Sequence, residues 1–230
     1  MNALDPYAAA ALRLALKDAM ADTSLRVQVL VLHGAGGHFC TGFDLKHKRV
    51  AGEEGALQDC FRILQDGPLP SIAAIEGNAF GAGVSLALAC DQMVASRQTK
   101  ICAPFTDIGL VPDVGMAITM ERRVGPGNAR RWMYEGSVVL ADEALATGLI
   151  DACAEQGQAL EVALGQAGRW AQRVPLAIAA VRRLSSLPQA LMEQVFAEEH
   201  RLQAELAATE DFAEGVNAFR DRRKPVFQRR

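Results

Sequence analysis

His38-Phe39-Cys40-Thr41-Gly42-Phe43-Asp44-Leu45 and Gly77-Asn78-Ala79-Phe80-Gly81-Ala82-Gly83-Val84-Ser85-Leu86 are the two stretches on which the fold turns. Each follows an apolar β-branched run, Val27–Leu32 and Ile72–Ile75, so each falls where a strand ends. The second runs straight into Leu86-Ala87-Leu88-Ala89, which reads as helix. Small residues in such turns let main-chain N–H groups approach a ligand closely, and a helix N-terminus adds partial positive charge. One N–H from each turn can thus grip a single oxygen that becomes negative during a reaction.

Around these turns, strand and helix patterns alternate. Asp5-Pro6 followed by Ala8–Met20 predicts a capped amphipathic helix, and Arg26–Leu32 a strand. Lys46–Leu57 is polar and glycine-containing and reads as a mobile loop. Leu57–Gln65 reads as a helix broken by Asp66-Gly67-Pro68-Leu69-Pro70. Ile72–Ile75 predicts a buried strand, Ala82–Cys90 a helix, and Gln92–Ala95 and Lys100–Cys102 short strands. Asp113–Val124 predicts a helix ended by Gly125-Pro126-Gly127. Helices over Ala129–Tyr134 and Asp142–Gly148 and a strand over Leu149–Ala154 follow. From Gln158 onward every segment is helical: 158–172, 176–186, 189–207 and 210–220. Strands alternating with helices, then helices alone, predict an α/β core over 1–173 and an all-α region over 174–230.

Composition narrows the function. Half of the 230 residues are hydrophobic, enough for a sizeable core, and 24 basic against 27 acidic residues leave a net charge of −3. That balance argues against a nucleic-acid surface, which wants a clustered basic face. The one local basic cluster (Arg220, Arg222, Arg223, Lys224, Arg229, Arg230) reads either as a solvated end or as a phosphate contact. Five cysteines without a C-x-x-C pair fit small buried hydrophobes in a reducing compartment. Met1–Leu16 carries an early Asp5 and no basic leader, and Ile72–Ala89 is interrupted by Glu76, Asn78 and three glycines. The expectation is a cytoplasmic protein without a membrane span.

At its two turns the chain resembles the crotonase, or enoyl-CoA hydratase/isomerase, superfamily, with its F-C-x-G-x-D-L turn and its G-x-x-x-G-x-G turn. Three further blocks carry the same resemblance: Ile108-Gly109-Leu110-Val111-Pro112-Asp113-Val114-Gly115, Ala141-Asp142-Glu143-Ala144 to Gly148-Leu149-Ile150-Asp151, and Glu214-Gly215-Val216 to Ala218-Phe219…Arg223-Lys224-Pro225. The resemblance implies a spiral of ββα units, with the C-terminal helices used for trimer or hexamer formation. It also implies an acyl-CoA thioester as substrate, with coenzyme A arriving as part of it and no metal or other cofactor. Met1-Asn2-Ala3-Leu4 falls where the family has already built its first two strands. Either the start lies elsewhere, or one sheet edge is unusually open, an association hazard.

Carried across residue by residue, the resemblance makes the Phe43 and Ala82 N–H groups the oxyanion hole. It places substrate contacts at Phe43, Asp44, Leu45, Lys46, Gly81, Ala82, Ser85 and Phe105, and coenzyme A contacts at Lys46, Arg222 and Arg223 of a neighbouring subunit. The family's hydratases carry glutamates where this chain has Ser85 and Phe105. Hydration needs one group to activate water and another to protonate carbon, and neither serine nor phenylalanine replaces a carboxylate. Asp113 resembles the aspartate that family isomerases set beside the acyl chain, and Phe105-Thr106 to Pro112-Asp113 is nearest to the enoyl-CoA and ring-epoxide isomerases of phenylacetate-type degradation. Burial near a thioester would raise its pKa and strengthen it as a base toward carbon. Its bland reading is a helix N-cap after Pro112, and the two roles can coexist.

Phe105, Phe80, Met116 and Met120 line an apolar acyl pocket or belong to the core. Thr106 and Asp107 could hold water or substrate, and His33, His38 and His47 show no partner in the sequence. Gly34-Ala35-Gly36-Gly37 lacks the third glycine and the helix that a dinucleotide loop requires. Two rivals stay open. Gly83-Val84-Ser85-Leu86-Ala87 approximates the G-x-S-x-G of a serine hydrolase. A fold that binds acyl-CoA without turning it over is the other. The expectation is an enoyl-CoA isomerase with Asp113 as its acid/base.

Overall fold

A computed structural model describes residues 1–21, 27–44, 55–228 and 230. The chain opens with helix α1 (Pro6–Met20), where the Asp5 carboxylate accepts the Ala8 N–H at 2.7 Å, a cap worth about 1 kcal/mol. Strand β1 (Leu30–His33) and helix α2 (Gly55–Asp66) follow, then β2 (Ser71–Ile75), β3 (Asn78–Phe80) and helix α3 (Ala82–Leu88). The next unit is β4 (Gln92–Ser96), β5 (Lys100–Cys102), a 3-10 turn over Thr106–Ile108 and helix α4 (Met116–Glu135), broken internally at Gly125 before Pro126. Then come β6 (Val138–Leu140), α5 (Ala141–Thr147), β7 (Ala152–Ala154) and α6 (Ala159–Ala171). Helices α7 (Pro175–Ser185), α8 (Gln189–Ala207) and α9 (Glu210–Asp221) complete the order.

The strands form two sheets. Strands β1-β2-β4-β7 pair in parallel, while β3-β5-β6 form a second sheet with β6 antiparallel. Each turn of chain lays one strand in the first sheet and the next in the second, β2 then β3, β4 then β5. The winding is therefore a spiral of ββα units.

Burial explains why β2 is apolar without alternation, as expected for a central parallel strand covered on both faces. Ala73 and Ile75 enter the large core that also holds Phe61, Met93, Met116, Met120 and Trp132. Ile72 and Ala74 point the other way, onto the alanine face of α6 (Ala159, Ala163, Ala167). At one edge of the sheet, β1 pairs only with β2 among the described residues. Phe61 of α2 meets Phe196 of α8 edge to face at 5.5 Å, which ties the C-terminal helices to the core.

Sequence and structure differ at particular places. The three-residue strands β3 and β6 were too short to show a period. Helix α4 begins at Met116, not at Asp113, because Val114 and Gly115 both adopt left-handed backbone (φ 54° and 73°). Gly115 is the N-cap, so Asp113 does not cap this helix through its side chain. Of the segment read as a mobile loop (Lys46–Leu57), residues 46–54 lie outside the described residues and 55–57 already belong to α2.

Candidate active site

Main-chain hydrogen bonds stitch the two glycine turns together. The Phe39 N–H donates to Glu76 O (2.8 Å), the Cys40 N–H to Asn78 O (3.1 Å) and the Phe80 N–H to Cys40 O (2.9 Å). Gly42 is the point of closest approach. A Cβ built there would stand 2.9 Å from Phe80 O and 3.4 Å from Ala82 N, and φ is +87°, so only glycine fits without pushing the turns apart. The result brings Phe43 and Ala82 to one cavity. Ala82 opens α3 after Gly81, so its N–H is one of the helix donors left without an intrahelical acceptor. Among the described residues neither that N–H nor the Phe43 N–H donates to another loop backbone group.

The cavity measures about 700 Å³. One group of lining residues comes from the two turns (Thr41, Gly42, Phe43, Gly81, Ala82) and a second from Pro104, Phe105, Ile108, Leu110 and Asp113. The third comes from the end of α8 and from α9: Ala207, Phe212, Ala213, Val216, Asn217 and Arg220. Helix α9 reaches this position because Gly215 lies against the backbone of Ile108, where a Cβ would stand 2.7 Å from Ile108 Cα. Among the described residues Asp113 is the only carboxylate in the lining.

The segment carrying Asp113 is braced from two sides. The Ser85 hydroxyl, fully buried in α3, donates to Asp113 O at 2.9 Å. From α8, Glu199 accepts the Gly115 N–H at 3.0 and 3.3 Å on its two oxygens, and the Val114 N–H lies close enough to pull its pKa down. Glu199 is buried, and its carboxyl is pushed up to about 8, first by burial and then by the Asp113 charge, against the pull of the two N–H groups. Val114 is a β-branched residue at positive φ, a strained position in a site that holds its conformation from outside.

The expected site residues divide clearly. Phe43, Gly81, Ala82, Phe105 and Asp113 share the cavity. Ser85 does not line it, and its hydroxyl is spent on a carbonyl. That removes the exposed nucleophile a serine hydrolase requires. Asp44 lies outside the lining and donates its N–H to Leu4 O (2.9 Å), while Leu45 and Lys46 fall outside the described residues. Met116 and Met120 are core, and Phe80 is absent from the lining. The Thr106 hydroxyl donates to the Met133 and Tyr134 carbonyls (3.2 and 3.1 Å), and burial pushes the Asp107 carboxyl up. Arg222 ends α9 in left-handed conformation and Arg223 pairs with Glu214 at 2.5 Å; neither lines the cavity of its own chain. Arg220, one turn earlier, does.

A family model described as enoyl-CoA hydratase/isomerase matches residues 1–230. The chain belongs to the enoyl-CoA hydratase/isomerase family. It is 33% identical to 2,3-dehydroadipyl-CoA hydratase of Escherichia coli K12 over 94% of this chain and 86% of that protein. It is 32% identical to the enoyl-CoA isomerase/hydratase fer4 of Mycosarcoma maydis, over 87% and 76%. Among solved structures, an enoyl-CoA hydratase from Mycobacterium avium subsp. paratuberculosis K-10 superposes with a TM-score of 0.89 at 28% identity, covering 98% of this chain and 89% of that one. The crotonase fold and its association with acyl-CoA thioester chemistry are thereby established for this family member. Glu199 is the residue of the site that the motifs did not reveal.

Proposed function

We propose that this crotonase-family enzyme is an enoyl-CoA isomerase. One observation carries the reading: among the described residues, the cavity beside the two turn N–H groups holds a single carboxylate, Asp113. Moving a double bond needs one group that takes a proton from the α carbon and returns it to the γ carbon. Hydration needs two. At the positions where the hydratases carry glutamates, Phe105 faces the cavity with a ring and Ser85 is buried elsewhere.

In this mechanism the thioester oxygen accepts the Phe43 and Ala82 N–H groups. The Asp113 carboxylate removes the α proton, and the electron pair spreads into a dienolate whose charge rests on that oxygen. Asp113 then protonates the γ carbon, so substrate and product have the same composition. Preorganised donors of this kind contribute about 2.7–4 kcal/mol each. Coenzyme A enters as part of the substrate, with Lys46 and the basic C-terminal residues as the proposed phosphate contacts. The exposed apolar side chains of α7 (Leu176, Val181, Leu184) support association of copies into a trimer.

The test is Asp113→Asn assayed on a panel of enoyl-CoA thioesters. Isomerisation should fall by about 10²–10⁴-fold, with thioester affinity nearly unchanged. Undiminished turnover would remove Asp113 from the mechanism. Binding without turnover by the wild type across the panel would favour a binding-only protein.

A further inference from the structure

Glu199 is a buried carboxyl that the proposed reaction does not use, and its surroundings are unusual. It does not line the cavity; it lies behind it, on α8, with both oxygens turned to the N-terminal side of α4. Met192 of its own helix and Phe61 of α2 close over Gly115, whose N–H it accepts, and Gln203, one turn on, is buried as well. Gln203 is itself committed, its amide donating to Val111 O at 2.7 Å. His200, the next residue, is exposed. Asp113 is the one charged side chain among the described residues that bears on Glu199. So a buried carboxyl anchors the backbone immediately after the proposed base, and the group it feels is that base.

We propose that Glu199 is the positioning residue of the acid/base centre: it holds the Gly115 N–H at the end of the strained turn that carries Asp113, and its carboxyl lies close enough to feel the Asp113 charge. The proposal rests on the reading of Asp113 as the acid/base. A β-branched residue at φ +54° does not stay there unaided. The Glu199 oxygens supply the acceptors that fix it, and Ser85 fixes the carbonyl just before it. The backbone on either side of Asp113 is thus fixed by two residues that do not line the cavity. A like charge next to a buried carboxyl disfavours its ionisation and couples the titration of the two groups. With Glu199 raised to about 8 by burial and by the Asp113 charge, its carboxyl holds its proton at neutral pH.

Two measurements test this. The first is infrared titration of the unliganded protein, which reads protonated carboxyl groups without any turnover. A protonated carboxyl should persist through neutral pH in the wild type and be lost in Glu199→Gln. In Asp113→Asn its midpoint should move down by roughly one unit or more, because the like charge is gone. Absence of that carboxyl, or a midpoint indifferent to Asp113→Asn, overturns the coupling between the two carboxyl groups. The second is steady-state isomerisation. Glu199→Ala should lower kcat by about 10²-fold with KM held within about twofold, the cost of a misaimed base. Glu199→Gln keeps an acceptor and should recover at least about tenfold of that loss. If Glu199→Gln is no better than Glu199→Ala, or Glu199→Ala keeps its kcat, the positioning role falls. Should Glu199→Ala not fold, the wild-type titration and Glu199→Gln still decide. An active Asp113→Asn would instead sink the acid/base reading, a result separable from the titration of the pair.

Discussion

Helices α7 and α8 each bring one buried ionisable side chain to the core, and the two are held in opposite ways. Arg182 of α7 is met by compensating groups: it pairs with the Asp91 carboxylate and donates to Leu64 O and, at 3.2 Å, to Gly67 O. Asp91 is itself fixed, accepting the Ser71 N–H at 2.6 Å at the start of β2. Glu199 of α8 meets neutral N–H groups and a like charge. A buried charge whose field is cancelled is a fastening between helix and core. One whose field is opposed keeps a proton in play, and it lies next to the cavity. This contrast separates structural from functional burial within one set of helices.

The comparison breaks most visibly at Arg182. Replacing it by Leu leaves the Asp91 carboxylate and two carbonyls without their donor, and severing a buried pair from one side costs about 3–5 kcal/mol. Arg182 is 7% exposed but Asp91 33%, so water relieves part of the loss and the lower figure, about 3 kcal/mol, is expected. Urea unfolding should show a lower midpoint with an unchanged slope. Molecules still folded should isomerise substrate at the wild-type rate, since Arg182 lies away from the cavity. A slower folded enzyme would mean that α7 bears on the site after all.

A pH dependence sharpens the other side. The Glu199 carboxyl titrates near 4.5 when the chain is unfolded and near 8 when folded. The folded state therefore binds the extra proton between those values, and stability falls as pH rises. The contribution of Glu199 is complete below about pH 4.5 and gone above about 8. At its steepest the slope reaches about 1.4 kcal/mol per pH unit. Glu199→Gln should flatten the curve through that window in urea unfolding, whereas Arg182→Leu should lower it without removing the slope. An equally steep Glu199→Gln curve would assign the dependence to another group.

How much of this was legible depended on whether the signal was local. The two glycine turns announce themselves because each follows an apolar run and needs small residues at fixed spacing. Asp113 was legible as a carboxylate in the right block, but its geometry was not. The Asp-Val-Gly order hides two consecutive left-handed residues, and a valine gives no warning of positive φ. Within one chain, the basic tail reaches the cavity through Arg220. Positions 213, 216, 217 and 220 of α9 share the face toward the cavity, while Arg222 and Arg223 fall at and past the helix end. Glu199 was concealed among the charges of α8, yet a trace was present. Met192, Phe196, Glu199 and Gln203 are spaced four, three and four residues apart and are all buried, so a glutamate stands within an apolar stripe. A charge on the buried side of an amphipathic helix is the pattern to search for.

The smallest expected effect concerns the second brace of Asp113. Ser85→Ala removes the hydroxyl that donates to Asp113 O, a loss of about 1 kcal/mol in stability. That carbonyl also accepts the Met116 N–H at 3.2 Å, so it is not stranded, and the turn keeps its Glu199 anchor. Turnover should consequently drop only severalfold, roughly the cost of a slightly loosened base. A serine acting as nucleophile would behave differently, because the variant would then lose turnover altogether while folding normally. Measured beside Glu199→Ala, the modest loss in Ser85→Ala ranks the two supports. The anchor that also carries a proton should matter more to the rate than the one that supplies only a hydrogen bond, and the reverse order would transfer control of Asp113 from α8 to α3.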